Sequence, residues 1–363
     1  MENKIWNVIG VMSGTSLDGV DLIFVKFKKK KSYSFEILKT DTVNYSEKWK
    51  NELFDAFNFS AEKLTKLHSD YGKFLANIIQ EFIDKNHLKN IDFIASHGHT
   101  IFHQPHLNYT LQIGNGAVIA AETNIKTICD FRVQDVALGG QGAPLVPIGD
   151  KLLFSEYKFC LNLGGFSNIS FEKDSERAAF DICPVNIVMN HYTRKIGLEY
   201  DDGGKMASGG SLNDTLLNEL NNLPFYVDDK PKSLGYEFIV DTIIPLIDKY
   251  NLSTQDILRT FVEHVAVQLA EVINRNSVKE KNDKVLVTGG GAFNQFLIDR
   301  LKDLTFVEVF VPDREIIDFK EALIFALLGV LKDQNEVNCL KSVTGAKKDH
   351  SSGVVFEVMK LSS

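Results

Sequence analysis

The heptapeptide SGTSLDG, which begins at Ser13, separates two apolar, β-rich runs. Glycine and small hydroxyl-bearing residues permit a tight turn whose backbone N–H groups can hold phosphate oxygens. Ser13, Thr15 and Ser16 add hydroxyl donors, whereas Asp18 and Asp21 suit a hydrated Mg²⁺ ion. No GK[ST] follows, so this is not a Walker A loop. Taken alone, the turn is either a phosphate cradle or an ordinary hairpin.

Two further glycine turns follow apolar strands. In LNLGGFSNIS, Gly164 and Gly165 close a turn near Asn168. In VLVTGGGAFN, three glycines from Gly289 to Gly291 lie between a buried strand and a helix, where a phosphate can approach a helix N-terminus. Each is also explained as a tight turn. The SGTSLDG turn and the turn at Gly164 and Gly165 together could hold one phosphate chain from opposite sides.

One carboxylate stands where a catalytic base is expected. Asp181 ends the apolar strand of AAFDICPVN, and a helix is expected to start at Pro184. A carboxylate at a strand end can accept a proton or orient a nucleophile. The alternative is that Asp181 caps the helix.

Other polar residues suggest ligand contacts. His97, His99 and His103 are closely spaced, but no Glu or Cys at a supporting distance favours a metal over hydrogen bonding. Arg132 follows an apolar strand and could pair with a carboxylate, as a ligand contact or as a surface ion pair. Glu321 heads an apolar helix face, where it either complements the helix dipole from the first turn or binds sugar hydroxyls.

The bulk composition limits the class of protein. The chain has 363 residues, 44% of them hydrophobic, which is enough for two domains. Its net charge is −8, which argues against a general affinity for nucleic acid or anionic lipid. The four cysteines form no CxxC pair and have no zinc-like spacing, and no signal peptide or membrane-length run is seen. We expect a soluble cytoplasmic protein.

The elements that would position these residues alternate between β and α. Strands are expected at 5–11, 19–27 and 34–45, and the second of two following helices should begin after Ser60 as N-cap. IDFIASHGHT predicts a strand running into a polar loop. Helices are expected at 185–197, 211–221 and from Ile257 to Asn274, capped by Ser253. The similar strand–turn–strand units at 8–27 and 159–171 suggest an internal duplication.

Taken together, the motifs resemble those of the anhydro-N-acetylmuramic acid kinases, and in the same order. The resemblance extends from about residue 8 to 346. It rests on GVMSGTSLDGVD, SHGHTIFHQP, TLQIGNGAVIA, DFRVQDVALGGQGAPLVP, NLGGFSNI, FDICPVN, VTGGGAFN, KEALIFALL and SVTGA.

The resemblance implies an α/β, two-lobed, actin-like (ribonuclease H-like) ATPase fold with ATP in the interlobe cleft. It implies an N-terminal lobe of 1–132 plus about 340–363 and a C-terminal lobe of 133–339. The glycine-rich composition of 137–147 independently makes that segment the candidate domain crossing. It also implies ATP and Mg²⁺ as cofactors, a small sugar as substrate, and a homodimer.

The reaction implied is that of a phosphotransferase of cell-wall recycling. Water and ATP open 1,6-anhydro-N-acetylmuramic acid and give N-acetylmuramic acid 6-phosphate and ADP. Asp181 matches the catalytic base, and Asp18 is the candidate Mg²⁺ ligand through ATP. The implied ATP-binding residues are Gly14, Thr15, Ser16, Leu17, Asp18, Gly19, Val20, Asp21, Gly164, Gly165, Asn168, Gly289, Gly290, Gly291 and Asn294. The implied substrate-binding residues are Ser13, His97, His99, Arg132, Asn186 and Glu321.

The chain departs from the family pattern at three places. FDTGPGN reads FDICPVN, with Ile182, Cys183 and Val185 in place of a Thr and two Gly. SHGQT reads SHGHT at His99, and an Asp–Gly pair reads Gly203–Gly204. The alternatives are therefore a kinase of another amino or anhydro sugar, or a non-enzymatic actin-like ATP-binding protein. A Rossmann dehydrogenase is disfavoured because no GxGxxG opens a helix after the first strand.

Overall fold

The computed structural model describes residues 4–14, 17–227, 234–279 and 281–358. They form two compact units, Met1–Leu153 with Phe319–Ser363, and Phe154–Asp318. The sequence placed the boundaries near residues 132 and 340. The packing instead assigns 133–153 and 319–339 to the first unit. Glu321 therefore shares a unit with Arg132.

The strands fall into three sheets. In chain order they are β1 (Lys4–Ser13), β2 (Gly19–Lys29), β3 (Tyr33–Asn44), β4 (Phe93–Ser96), β5 (His99–Gln104), β6 (Tyr109–Ile113), β7 (Thr127–Cys129), β8 (Phe159–Leu163), β9 (Phe166–Lys173), β10 (Glu176–Pro184), β11 (Lys284–Thr288), β12 (Glu308–Phe310) and β13 (Val354–Phe356).

The α-helices of the described residues range from one turn to seven. They are α1 (Glu47–Asp55), α2 (Ala61–Asn86), α3 (Gly116–Thr123), α4 (Val133–Ala137), α5 (Val146–Leu153), α6 (Asn186–Arg194), α7 (Lys205–Gly209), α8 (Asp214–Asn221), α9 (Pro224–Val227), α10 (Tyr236–Phe238), α11 (Ile244–Asp248), α12 (Thr254–Arg275), α13 (Gln295–Leu304), α14 (Arg314–Asp333) and α15 (Lys341–Thr344). None of them has the length and apolar character needed to span a bilayer.

The large sheet of the first unit has the order β13-β7-β4-β1-β2-β3. Strands β1, β2 and β3 pair antiparallel as consecutive hairpins, whereas β4 and β7 run parallel to β1. Helix α2 buries Leu67, Tyr71 and Leu75 in the same core as Ile9 and Ile94 of the sheet. Helix α2 therefore turns an apolar face at helical spacing toward the sheet.

The sheet of the second unit repeats this pattern. Its order is β10-β9-β8-β11-β12. Strands β8, β9 and β10 pair antiparallel, whereas β11 and β12 run parallel to β8. The order matches β3-β2-β1-β4-β7 of the first unit strand for strand. The expected α/β class and internal duplication are thus confirmed.

Two predicted helix starts are confirmed by their caps. The Ser60 side chain accepts the N–H of Lys63, and α2 begins at Ala61. The Ser253 side chain accepts the N–H of Asp256 and donates to its carboxylate, and α12 begins at Thr254. These signals are local in sequence, which is why they could be read without the fold.

One expectation for the first unit was wrong. The polar segment after β4 is not a loop, because β5 begins at His99 and pairs antiparallel with β6. Polar and aromatic residues form this ribbon, and the apolar alternation that marks a half-buried strand is weak in it.

Candidate functional site

The first glycine turn joins β1 to β2 as an antiparallel hairpin in which Ser13 pairs with Val20. At its end the exposed Asp18 accepts the N–H of Gly19 through Oδ1 at 3.0 Å, and Leu17 has φ +59°. A Cβ at Gly19 would lie 2.6 Å from the Val43 carbonyl oxygen. Only glycine therefore fits where β2 starts.

The other residues predicted around this turn differ in burial. Gly14 is half-buried, Val20 is buried, and Asp21 accepts the Thr42 hydroxyl at 2.7 Å. Thr15 and Ser16 lie outside the described residues.

Ser13 is the centre of a buried hydroxyl cluster. Its Oγ lies 2.6 Å from the Tyr45 hydroxyl, 2.9 Å from the Tyr71 hydroxyl and 2.9 Å from Nδ1 of His99. The two tyrosine hydroxyls are 2.5 Å apart. Ser13 is 1% exposed. Its side chain therefore faces the interior and fixes the end of β1, next to the phosphate-loop candidate.

Of the three predicted histidines, His97 and His99 are buried, whereas His103 is exposed. Burial lowers the pKa of His99 to about 4, and burial together with the Arg132 charge holds the pKa of His97 well below its usual value. His103 pairs with Thr110 at 3.1 Å. In the part of the chain that the structure describes, these three histidines form no group of metal ligands. Each of the three rings instead takes part in hydrogen bonds, which was the alternative that the spacing allowed.

Arg132 is held in place by two hydrogen bonds. Its Nε donates to Nε2 of His97 at 2.9 Å, and its Nη1 donates to the Gly142 carbonyl at 2.7 Å. The His97 Nδ1–H donates to Gly98 at 2.9 Å, which fixes the neutral tautomer that can accept from arginine. Burial lowers the pKa of Arg132 to about 10, so the guanidinium remains a cation at neutral pH.

Glu321 stands in the same unit, on α14. The helix begins at Arg314, so Glu321 is seven residues beyond the first helical position. The expectation that it lies in the first turn is wrong, and the dipole explanation fails because that effect fades within one turn. Desolvation raises the pKa of its carboxyl, while Arg132 and Lys320 oppose the rise. The side chain is classed as exposed.

In the second unit, the side chain of Asn162 connects two glycine turns. Its amide would contact a Cβ added at Gly164 and would lie 2.5 Å from one added at Gly289. A Cβ at Gly165 would meet nothing closer than 3.7 Å, so the backbone of this turn is accessible. Sequence reasoning missed Asn162. The signal that could have revealed it is a polar residue inside the otherwise apolar strand β8, FCLNL.

A polar row crosses the second sheet. Thr288 pairs with Asn162, Asn162 with Asn168, and Asn168 with Asp181. Directly paired residues project on the same face of a sheet. The row therefore places the candidate base Asp181 beside the amide of Asn168, with Asn162 one strand further along. Thr288 is a further residue that the sequence did not single out.

Asp181 itself lies within β10, three residues before its end at Pro184. The expected strand end at Asp181 and helix start at Pro184 are wrong, because β10 continues over a bulge and α6 begins at Asn186. Asp181 therefore does not cap α6, whose N-cap is Val185. The half-buried carboxylate accepts the N–H of Leu234 at 2.9 Å through Oδ2.

The triple-glycine turn packs against Asn186. A Cβ at Gly290 or Gly291 would lie 3.7 or 3.4 Å from the Asn186 amide, whose Nδ2 donates to the Leu163 carbonyl at 3.2 Å. Asn294 caps α13 by accepting the Leu297 N–H at 3.0 Å. Asn186, expected among the sugar ligands, is thus placed with the residues expected to bind nucleotide.

A cavity of about 410 Å³ opens beside this turn, entirely within the second unit. Candidate residues Asn186, Gly290 and Asn294 line it. The rest of its wall is Met189, Asn190, Tyr200, Asp201, Asp202, Gly203, Phe293 and Arg314. Its size falls in the range of roughly 300–1,000 Å³ that is usual for small-molecule pockets.

The departures from the family pattern are mostly packed inside. Ile182 is 4% exposed, and Cys183 and Val185 are fully buried in the core of the second unit. Ser167 accepts the Cys183 N–H and donates to its carbonyl, which fixes the altered segment. Gly204 is required by its surroundings, because a Cβ there would lie 2.1 Å from Oδ1 of Asn294.

Comparisons with known proteins identify the family of the chain. The family model for anhydro-N-acetylmuramic acid kinase matches residues 6–358. The chain is 35% identical to the anhydro-N-acetylmuramic acid kinase of Mannheimia succiniciproducens, covering 96% of this chain and 98% of the relative. It is 32% identical to that of Haemophilus influenzae, covering 96% and 97%, and 34% identical to that of Clostridioides difficile, covering 93% and 95%.

Among solved structures, the activator of the 2-hydroxyisocaproyl-CoA dehydratase from Clostridium difficile, with bound ADPNP, matches at a TM-score of 0.46 and 12% identity, covering 90% of this chain and 97% of that chain. This score is too low for an argument about function. The match over 6–358 and the identities over nearly the full length decide the assignment. The chain belongs to the anhydro-N-acetylmuramic acid kinase family.

Proposed function

We propose that the chain is an ATP-dependent kinase that opens 1,6-anhydro-N-acetylmuramic acid with water and phosphorylates it to N-acetylmuramic acid 6-phosphate, for cell-wall recycling. The observation that carries the proposal is the family match over residues 6–358. Asp181, Arg132 and Glu321 all fall within that match.

The cavity beside Gly290 is proposed to take the nucleoside of ATP. It offers amide groups from Asn186 and Asn294 and the aromatic surface of Phe293. The adjoining short 3₁₀ helix, Gly290–Phe293, leaves its first N–H groups outside its own hydrogen bonds. Those groups and the accessible backbone at Gly165 are suited to phosphate oxygens, because phosphoryl transfer depends on positioning and charge neutralisation.

Asp18 fits a Mg²⁺ ion that accompanies ATP. Its carboxylate is exposed, and Mg²⁺ is typically held by one or two carboxylates together with substrate phosphates. Bound there, the ion would neutralise charge on the phosphate chain.

Asp181 is proposed to be the general base. Its carboxylate is held by the Leu234 N–H and stands in the polar row with Asn168. It removes a proton from water as the water oxygen bonds to the anomeric carbon. The bond from that carbon to the bridging oxygen breaks, and the freed sugar oxygen takes the γ-phosphoryl group from ATP, releasing ADP.

Arg132 and Glu321 are proposed to bind the sugar. Within the described residues, Nη2 of Arg132 makes no hydrogen bond, so it can donate to the lactyl carboxylate or to a sugar oxygen. The exposed carboxylate of Glu321 can accept from sugar hydroxyls. Ser13, His97 and His99 are buried, so their proposed role is to position these groups rather than to contact the substrate.

The buried departures favour the anhydro sugar over a different one. Ile182, Cys183 and Val185 direct their side chains into the core, and His99 is turned toward Ser13. Gly203 lines the proposed nucleotide cavity. None of these side chains adds a new group to the proposed sugar site, so an altered substrate has no structural support.

The test compares Asp181→Asn with Asp174→Asn, an exposed aspartate at the turn between β9 and β10. Asparagine keeps the shape and can still accept the Leu234 N–H, but it cannot take a proton from water. We expect turnover of the anhydro sugar to fall about 100- to 10,000-fold in Asp181→Asn. ATP affinity by calorimetry should be unchanged, and Asp174→Asn should be fully active.

A panel of sugars should be assayed with the unaltered chain by mass spectrometry of the phosphorylated product. Phosphate gained by another amino sugar but not by the anhydro sugar would refute the substrate assignment. Near-normal turnover by Asp181→Asn would remove Asp181 from its role.

A further inference from the structure

Beyond its proposed kinase activity, the first unit contains a cluster of metal-ligating side chains away from the phosphate turns. We propose that Asp135, Cys339 and His350 bind a zinc ion. The carboxylate oxygen, the thiol sulfur and a ring nitrogen all lie within 4.8 Å of one another. Their exposed fractions are 0%, 1% and 6%. Sequence spacing could not reveal this set, because its members come from three separate segments.

The backbone keeps two of the three ligands in register. Cys339 and His350 face each other in an antiparallel bridge, with N–H to carbonyl distances of 3.1 and 3.2 Å. Asp135 reaches them from α4. Zinc takes sulfur at about 2.3 Å and nitrogen at about 2.0 Å in tetrahedral geometry, so shifts on the order of 1 Å would bring the three side chains to the ion, with a water molecule as the fourth ligand.

His350 supplies the observation that points to a cation. Its Nδ1 lies 3.1 Å from the Lys348 carbonyl and donates to it. In the neutral ring Nε2 then carries a lone pair, and it lies 3.5 Å from Oδ1 of Asp135. Among the described residues this buried nitrogen has no hydrogen-bond partner. A lone pair aimed at a carboxylate is unfavourable unless positive charge lies between them.

Asp135 is oriented as a ligand of such a cation. The Thr344 hydroxyl donates to its Oδ1 at 2.7 Å, and the Gly142 N–H donates to its Oδ2 at 2.7 Å. Each oxygen retains a further lone pair. Metal-binding carboxylates and histidines are commonly fixed by outer hydrogen bonds of this kind, here from Thr344 and Gly142 and to the Lys348 carbonyl.

The donor set selects the metal. One sulfur, one imidazole and one carboxylate suit zinc, whereas Mg²⁺ and Ca²⁺ take oxygen ligands only. Burial raises the pKa of the Cys339 thiol to about 12, with Asp135 adding to the rise. Binding therefore replaces the thiol proton by the metal: Cys339–SH and Zn²⁺ give the zinc thiolate and one H⁺, which leaves to solvent.

The site would link α4 to the segment that follows α14. Asp135 lies three residues after Arg132, whose charge is felt by Cys339. Zinc would therefore tie the helix that begins next to Arg132 to two residues near the C-terminal end of the unit. The expected consequence is a more stable first unit.

The experiment uses the full chain after treatment with a chelator. Zinc is titrated in competition with a chromophoric chelator, and Co²⁺ is added separately because cobalt thiolates absorb in the near ultraviolet. We expect one Zn²⁺ per chain and a thiolate band with Co²⁺. Cys339→Ser and His350→Gln should each weaken zinc at least tenfold, whereas the buried Cys129→Ala, in the same unit, should leave it unchanged.

Two results would overturn the proposal. The first is that the unaltered chain gives neither stoichiometric zinc binding nor a thiolate band, which would mean that His350 faces Asp135 with no metal between them. The second is that zinc binds equally well to Cys339→Ser and His350→Gln. Since the first result needs no variant, a variant that fails to fold does not block the test.

Discussion

Substituting alanine for Gly289 tests whether the triple-glycine turn has its shape because of close backbone packing. Gly289 has φ +80° and ψ 166°, a region in which residues other than glycine are strained by about 1–3 kcal/mol. An added Cβ would also lie 2.8 Å from the Leu163 carbonyl oxygen and 2.5 Å from Oδ1 of Asn162. The first contact is with the backbone of β8, which cannot turn away.

The cost can be divided with a matched control. Overpacking of this kind adds about 1–3 kcal/mol, so Gly289→Ala should lower the free energy of unfolding by roughly 2–6 kcal/mol. Gly197 also has φ +80°, but an added Cβ would meet nothing within 4 Å. Gly197→Ala should therefore cost only the left-handed backbone term, about 1–2 kcal/mol.

The assays are urea unfolding and calorimetric titration with ATP. In Gly289→Ala the turn must move away from β8, which displaces the wall of the cavity, so we expect ATP to bind at least tenfold more weakly. Gly197→Ala should bind ATP normally. Equal losses of stability in the two variants, with equal ATP affinity, would refute the argument that this turn is shaped by close approach.

Three further predictions concern the first unit. Glu321→Gln should reduce sugar turnover about 10- to 100-fold, because a charged hydrogen bond to the sugar is lost, and should change the free energy of unfolding by less than about 0.5 kcal/mol. Steady-state assays compare it with Glu315→Gln on the same helix. Equal activities of the two variants would contradict a sugar-binding role for Glu321. Burial lowers the pKa of His99 to about 4 from 6.5, so the unfolded chain binds a proton that the folded chain does not, and stability is lost as pH falls from 6.5 towards 4. His99→Gln should remove up to about 3 kcal/mol of that loss in urea unfolding followed against pH, and an unchanged pH profile would count against it. Ser13→Ala leaves buried hydroxyls without their shared partner and should cost about 1–3 kcal/mol by the same method, a neutral result disproving the cluster's role.

Local signals in the sequence predicted local structure well. Ser60 and Ser253 marked the starts of α2 and α12, because an N-cap is recognised from a few adjacent residues. Glu321 heads the apolar run of its helix, but the helix begins earlier, in the polar segment before that run. Glu321 was consequently assigned to a first turn that lies at Arg314.

Long-range contacts were beyond the sequence. Ser13 meets Tyr45, Tyr71 and His99, which are 32, 58 and 86 residues away. Nothing in the spacing indicates that these side chains share one buried cluster, since strand pairing and the packing of α2 bring them together. The glycine turns could be found from composition, whereas the amide of Asn162 that connects two of them could not.

The same limit explains the altered segment after Asp181. Its three replacements looked like changes in a substrate loop because the sequence shows only that they follow the candidate base. In the structure β10 continues through this segment, and its apolar side chains enter the core. Side-chain direction, rather than position in the chain, decides what such a change affects.

The most direct test of the proposed function is a single turnover assay in ¹⁸O-labelled water with Mg·ATP and 1,6-anhydro-N-acetylmuramic acid. Our account predicts a product that has gained one phosphoryl group and one water, with the label on the anomeric carbon and none in the phosphate. A phosphorylated product without the label, or label found in the phosphate, would contradict the proposal that water attacks the sugar while the freed oxygen takes the phosphoryl group.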